Sequence, residues 1–194
     1  NFPKAMGIAV KGIKMALAVK DEVIELVNSD QLAQTYPPKP GVYDGLYLPR
    51  VTYYTGQLDL HDLEWGNDGL WAVNTRFSCL SLIDHDYSFR PVWKPKFITE
   101  LTPDDKCHLN GMAFVNAKPK YVTALGQTDT HEGWRENKPN GGVLMDVDHN
   151  EILVHSLPMP HSPRIYDGEL YGLLSATGEL IKFDLNKGSY EVLN

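Results

Sequence analysis

Cysteine is scarce in this chain: Cys79 and Cys107 are its only two among 194 residues. They form neither a Cys-x-x-Cys pair nor a zinc-type spacing, which excludes a disulfide-stapled scaffold and a thiolate metal site. A reduced pair in a cytoplasmic protein is the expectation, with a single disulfide as the alternative. No apolar run approaches the roughly 18 residues of a membrane span, and no basic head with an apolar stretch reads as a signal peptide. No membrane partner is therefore expected. The sequence opens at Asn1 without an initiator methionine, and its ends read as cut. Positive charge is also short, with 18 Lys and Arg against 25 Asp and Glu and a net charge of −7. A general nucleic-acid binder needs a dense cationic face, so that class is excluded. The modest cluster Lys94-Pro-Lys96 with Arg90 reads as a solvated loop. There is no nucleophile elbow, no Gly-rich phosphate loop and no zinc-protease helix. Long helices are missing too. Lys20 to Ala33 is the best amphipathic candidate, but Glu22 to Val27 reads better as a strand followed by a polar turn at Asn28 to Asp30.

What the chain does have is repetition. An apolar alternating run, a tight turn and a second apolar run recur at Gly7, Asp62, Gly111 and Pro163. The spacing is close to the ~40–50 residues of a four-stranded propeller blade. Asn-Asp-Gly, Asp-Gly, Asn-Gly-Gly and Lys-Gly turns punctuate the β-branched and aromatic runs as successive hairpins require. The expected fold is an all-β propeller of four-stranded antiparallel blades over residues 1–35, 50–97, 107–157 and 160–194. Two interruptions stand out. Tyr36 to Gly41 is too rich in proline for a central strand and reads as a surface connector. Gln127 to Gly142 splits the third blade between its second and third strands. Long loops on rigid scaffolds carry recognition, though an inert excursion is the alternative.

The stretches Leu70 to Leu80, Cys107 to Ala113, Tyr121 to Gly126, Gly133-Trp-Arg135 and Met159 to Arg164 resemble a bacterial conserved-hypothetical propeller family, domain of unknown function 4915. The resemblance extends over essentially the whole chain. Members of that family are longer, which implies four blades of a larger ring of about six. It implies no settled activity. A more distant likeness is to the six-bladed calcium-dependent lactonases of the gluconolactonase and senescence-marker type. Asn110 in Leu-Asn-Gly-Met-Ala matches their Asn-Gly-Leu pattern, which implies a metal ligand at the mouth of the central channel. Where those enzymes place Pro-Asp-Gly, this chain has His161-Ser-Pro.

Residues that open each innermost strand of a propeller converge on the channel. Aligning Trp65, Phe114 and Tyr166 brings His61, Asn110 and Ser162 into register, with His108 and His161 one or two residues away. Imidazoles beside three consecutive inner strands suit a transition metal or general-base chemistry near neutral pH. His161 and His108 are thus the candidate catalytic groups, and Asn110, His161 and His61 the candidate ligands of a divalent metal, calcium or a transition metal. The plainer alternative has each histidine capping a strand. Asn74 ends a second strand close to Arg76. Arg76, Arg135 and Arg164 are shaped to clamp a carboxylate or phosphate on a small anionic molecule, or else to pair with acidic side chains. Trp65, Trp71 and Trp93 read as packing, while Trp134 in the long loop is expected to face a ligand. Cys107 and His108 are strand neighbours and point to opposite faces, so adjacency does not make them a catalytic pair. Two functional classes result. One is a metal-dependent small-molecule or modification enzyme with its site at the channel mouth. The other is a non-catalytic scaffold that grips a peptide or protein through Trp134 and Arg135.

Overall fold

Each repeat folds into a four-stranded antiparallel sheet, its strands in sequence order. The computed structural model describes residues 2–193. The first sheet comprises β1 (Ile8–Lys11), β2 (Lys14–Ala18), β3 (Glu22–Asn28) and β4 (Tyr47–Tyr54). The second comprises β5 (Leu60–Gly66), β6 (Gly69–Asn74), β7 (Cys79–Ile83) and β8 (Arg90–Trp93). The third holds β9 (Leu109–Val115), β10 (Lys118–Ala124), β11 (Gly142–Asp146) and β12 (Glu151–Leu157). The fourth holds β13 (Pro160–Tyr166), β14 (Glu169–Leu174), β15 (Glu179–Asp184) and β16 (Ser189–Val192).

Hairpin chemistry explains the register. The β9–β10 turn is Asn116-Ala117 with φ of 51° and 58°, and the β13–β14 turn is Asp167-Gly168 with φ of 50° and 81°. Two consecutive positive φ values are the mark of the type I′ turn, whose twist matches that of the flanking strands. The Gln127 to Gly142 insertion falls between β10 and β11 as expected and carries a 3₁₀ turn at Gly133–Asn137.

Three differences from the sequence reading have physical causes. β4 pairs with β3, so the first sheet runs to Tyr54 and the second begins only at Leu60, against the expected blade limits of 35 and 50. β4 is the edge strand of its sheet and accepts Pro49, because an edge strand has one row of unpaired N–H positions. After β3 the chain forms a short helix α1 (Asp30–Gln34), where only a polar turn was expected. Finally, the inner strands open at Leu60, Leu109 and Pro160, so His161, and not Ser162, shares the register of His61 and Asn110.

Hydrophobic cores lie between successive sheets. Ala9, Ala16 and Val23 pack with Leu60, Leu63 and Leu70 between the first and second. Val73, Leu80 and Leu82 pack with Leu109, Met112 and Val122 between the second and third. Ala113, Leu144 and Val154 pack with Leu170, Ile181 and Phe183 between the third and fourth. Side-chain packing accounts for two close approaches. A Cβ on Gly111 would run into the ring of Pro163, and one on Gly142 into Pro160, so both glycines let the fourth sheet come up against the third. The outer faces of the first and fourth sheets are more exposed than the matching faces between sheets. Ile8 is 51% exposed, whereas the matching Leu63 and Met112 are 1% and 2% exposed. Likewise Leu173 is 45% exposed where the matching Val73 is 0% exposed. Among the described residues no helix is long and apolar enough to cross a membrane.

Candidate functional site at the channel mouth

The inner strands β5, β9 and β13 lie side by side, and their opening ends carry a cluster of imidazoles. The His61 ring centroid is 4.8 Å from that of His108 and 5.9 Å from that of His161. His161 and His61 share a register position one residue into their strands, while His108 immediately precedes β9.

Two of the rings are held by their Nδ1 atoms. His61 Nδ1 lies 3.1 Å from the Asp59 carbonyl and 2.6 Å from Thr75 Oγ1. A carbonyl only accepts, so Nδ1 carries the proton and Nε2 keeps its lone pair. Thr75 in turn donates to the Leu109 carbonyl at 2.6 Å, tying the second sheet to the third behind the ring. His108 Nδ1 donates to Asp105 Oδ2 at 2.8 Å, which also accepts the Trp134 indole N–H at 3.1 Å. A carboxylate behind an imidazole fixes its tautomer and raises the basicity of the far nitrogen. Asp105 Oδ1 is buried without a hydrogen-bond partner among the described residues. Asp105 and His108 both adopt left-handed backbone, φ 47° and 50°. For non-glycine residues that conformation costs energy and persists only where the surroundings impose it.

Electrostatics favour the neutral forms of His61 and His161. Burial pushes the His61 pKa down, and the neighbouring His108 adds to that. Burial likewise lowers His161 to about 4, with His61 and His108 contributing in the same direction. The cluster borders a cavity of about 360 Å³ whose walls include His61, Thr75, Arg76, Asp105, His108 and Arg135. Arg76 makes no ion pair among the described residues. Arg135 also reaches the cavity, but its guanidinium is engaged bidentately by Glu132 at 2.6 and 2.9 Å.

Other residues singled out by sequence are engaged in internal contacts. Asn110, expected as a metal ligand, is 2% exposed and fully used: its Oδ1 accepts from Thr123 at 2.7 Å and its Nδ2 donates to the Pro160 carbonyl at 3.0 Å. Arg164, expected to clamp a ligand, instead holds Asp62 through Nη1 and Nη2 at 2.9 and 2.8 Å and the Met112 carbonyl at 2.9 Å. It is a strut joining three sheets. Asn74 is buried and accepts from the Phe77 amide at 3.1 Å, stabilising the turn after β6, away from the cavity. Trp134, expected to present a face to a ligand, is 6% exposed. Its ring sits 4.3 Å from His108, with the cations of Arg135 and Lys138 over it at 4.4 and 5.4 Å. It is a wall of the site, and on its other side it borders a second cavity of about 250 Å³ beside His155. Cys79 and Cys107 are free thiols, and burial raises both to about 12. Among the described residues no three His, Cys, Asp or Glu side chains form a ready-made metal cage.

Sequence reasoning missed Asp105 and Thr75. Asp105 had a local signal, a carboxylate three residues before His108. Thr75 had none, since its partners lie across two sheets.

The family model described as Domain of unknown function (DUF4915) matches residues 1–194. The chain belongs to the DUF4915 family. This DUF4915 chain has no match among curated proteins. Among solved structures it is similar to the WD40 domain of Pan2 from Neurospora crassa, with 11% identity and a TM-score of 0.51 over 97% of this chain and 52% of that one. The likeness supports the propeller fold. Apo AztD from Citrobacter koseri also matches, with 14% identity and a TM-score of 0.43 over 98% of this chain and 46% of that one. The chain thus spans about half the length of either neighbour.

Proposed function

We propose that this DUF4915 chain acts on a small molecule at the channel mouth, with unprotonated imidazole nitrogens as its reactive groups. The observation that carries this reading is the Asp105–His108 pair. His108 Nδ1 is committed to the carboxylate at 2.8 Å, which leaves Nε2 as a base beside a cavity of about 360 Å³. That volume lies within the ~300–1,000 Å³ of ordinary small-molecule sites. Arg76, in the same wall and without an internal ion pair, is available to orient an anionic group of the ligand. The reaction class is proton abstraction or water activation, in which His108 takes the proton and Asp105 stabilises the resulting imidazolium. The peptide-gripping alternative loses its main support with the burial of Trp134.

Turnover of a panel of small activated esters and lactones tests the reading. His108→Gln should lower the rate about 10²- to 10⁴-fold, the usual contribution of a general base, while leaving the melting curve unchanged. Rates equal to those of the parent chain would remove His108 from the chemistry.

A further inference from the structure

The geometry points to a small monocarboxylate as the ligand of the channel-mouth cavity, with Arg76 as the residue that selects it. The inference rests on the base reading above and names the substrate class that base would meet. It draws on Arg76 alone and leaves the His108 Nε2 lone pair to the chemistry.

Charge pairing around the cavity is the first argument. Lys4 is held by Asp59 at 2.5 Å, and Arg135 by Glu132 through two hydrogen bonds. Asp104 accepts from Thr102 at 2.5 Å and faces His131 at 3.4 Å, while Asp105 is taken by His108 and Trp134. Every carboxylate of the wall thus has a partner of its own. The Arg76 guanidinium is the one permanent cation there without a partner among the described residues. A planar fork with its donors unspent matches the two oxygens of a carboxylate, which it binds bidentately.

Mounting is the second argument. The Arg76 carbonyl accepts the Asp105 amide at 2.9 Å, and the Arg76 amide donates to the Leu58 carbonyl at 3.1 Å. The residue that would hold the carboxylate and the side chain that orients the base are therefore fixed to each other through the backbone, ahead of any ligand. Both line the same cavity, so a ligand anchored at one end on Arg76 is presented to His108 at the other.

What the wall lacks narrows the class. Asp59, Asp104, Asp105 and Glu132 stand against three permanent cations, so a dianion meets net repulsion. Phosphate groups are commonly cradled by several backbone N–H donors. Here the amides of Asp104, Asp105 and Glu132 are spent on the carbonyls of Thr102, Arg76 and Asp104. Met6 and Pro103 are the only apolar residues among the described ones that line the cavity, which leaves no apolar wall for a long acyl chain. The ligand is a short carboxylate carrying a single negative charge.

The test follows the ring resonances of His61 and His108 by NMR while propionate is added to the full chain, with propionamide, inorganic phosphate and succinate as comparison probes. Propionate should shift both rings saturably, and the other three should bind at least tenfold more weakly. Arg76→Gln should weaken propionate about 10- to 100-fold, the loss expected for a charge-assisted pair, and Arg76→Lys, which keeps the charge without the fork, should recover only part of it. Arg50→Gln, on β4 away from the cavity, should bind as the parent does. Should Arg76→Gln fail to fold, Arg76→Lys carries the test and should lose at least threefold. No saturable shift, a shift unchanged by the Arg76 variants, or any comparison probe binding as tightly as propionate overturns the carboxylate class. If propionate does not bind while His108→Gln abolishes ester or lactone turnover, the carboxylate class falls and the base reading stands. If propionate binds through Arg76 while His108→Gln leaves turnover unchanged, the base reading falls and the carboxylate site stands.

Discussion

His161 has an environment that favours its neutral form, since burial and two neighbouring imidazoles bring its pKa from 6.5 to about 4. The unfolded chain takes up that proton near pH 6.5, whereas the folded chain refuses it until about pH 4. The associated stability is therefore full above the unfolded value and declines as pH falls from about 6.5 to about 4, by at most about 3 kcal/mol. The His161 ring should titrate with a midpoint near 4 by NMR, and His161→Gln should flatten the fall of melting temperature across that window. A midpoint near 6.5 would show that the ring is solvated and the cluster looser than described. At this scale the sequence was half legible. His61, His108 and His161 were visible because they flank inner-strand starts, which the repeat locates. Asn110 and Arg164 misled because a side-chain amide or guanidinium carries no mark of its partner, and theirs lie 50 and 102 residues away.

Hairpins are the elements that set the blades, and one of them is strained. Ala117 takes φ 58° in the β9–β10 turn, where a Cβ is unfavourable by roughly 1 kcal/mol. Its carbonyl accepts the Asn67 amide from the neighbouring hairpin tip at 3.1 Å, which holds the conformation in place. Ala117→Gly should relieve that cost, and the melting temperature should rise by about 2–4 °C for a chain of this size. A lower melting temperature would mean that the entropy glycine adds to the unfolded chain exceeds the strain it removes. Strand positions were the most legible part of the fold, because alternation and turn dipeptides are local signals. β4 escaped because edge-strand tolerance of proline depends on which neighbours a strand lacks.

Across the whole molecule, each core joins a sheet only to its neighbour in sequence. Ile8 and Leu173 are exposed at positions that are buried in the interior sheets. Among the described residues cohesion comes from nearest-neighbour terms, as in a one-dimensional array, and the outer sheets have fewer such terms. Amide hydrogen exchange should then be slowest in β6, β7, β10 and β11 and faster in β1, β2, β15 and β16; uniform protection across the four sheets would indicate one cooperative unit instead. The imidazole cluster straddles this gradient. His61 sits on an interior sheet and His108 at the edge of another, but His161 belongs to a terminal one. Fraying of the fourth sheet would carry His161 away from its two companions while leaving the Asp105–His108 pair assembled. Thermal history would then act on the site as a graded disconnection, removing one nitrogen well before the protein unfolds.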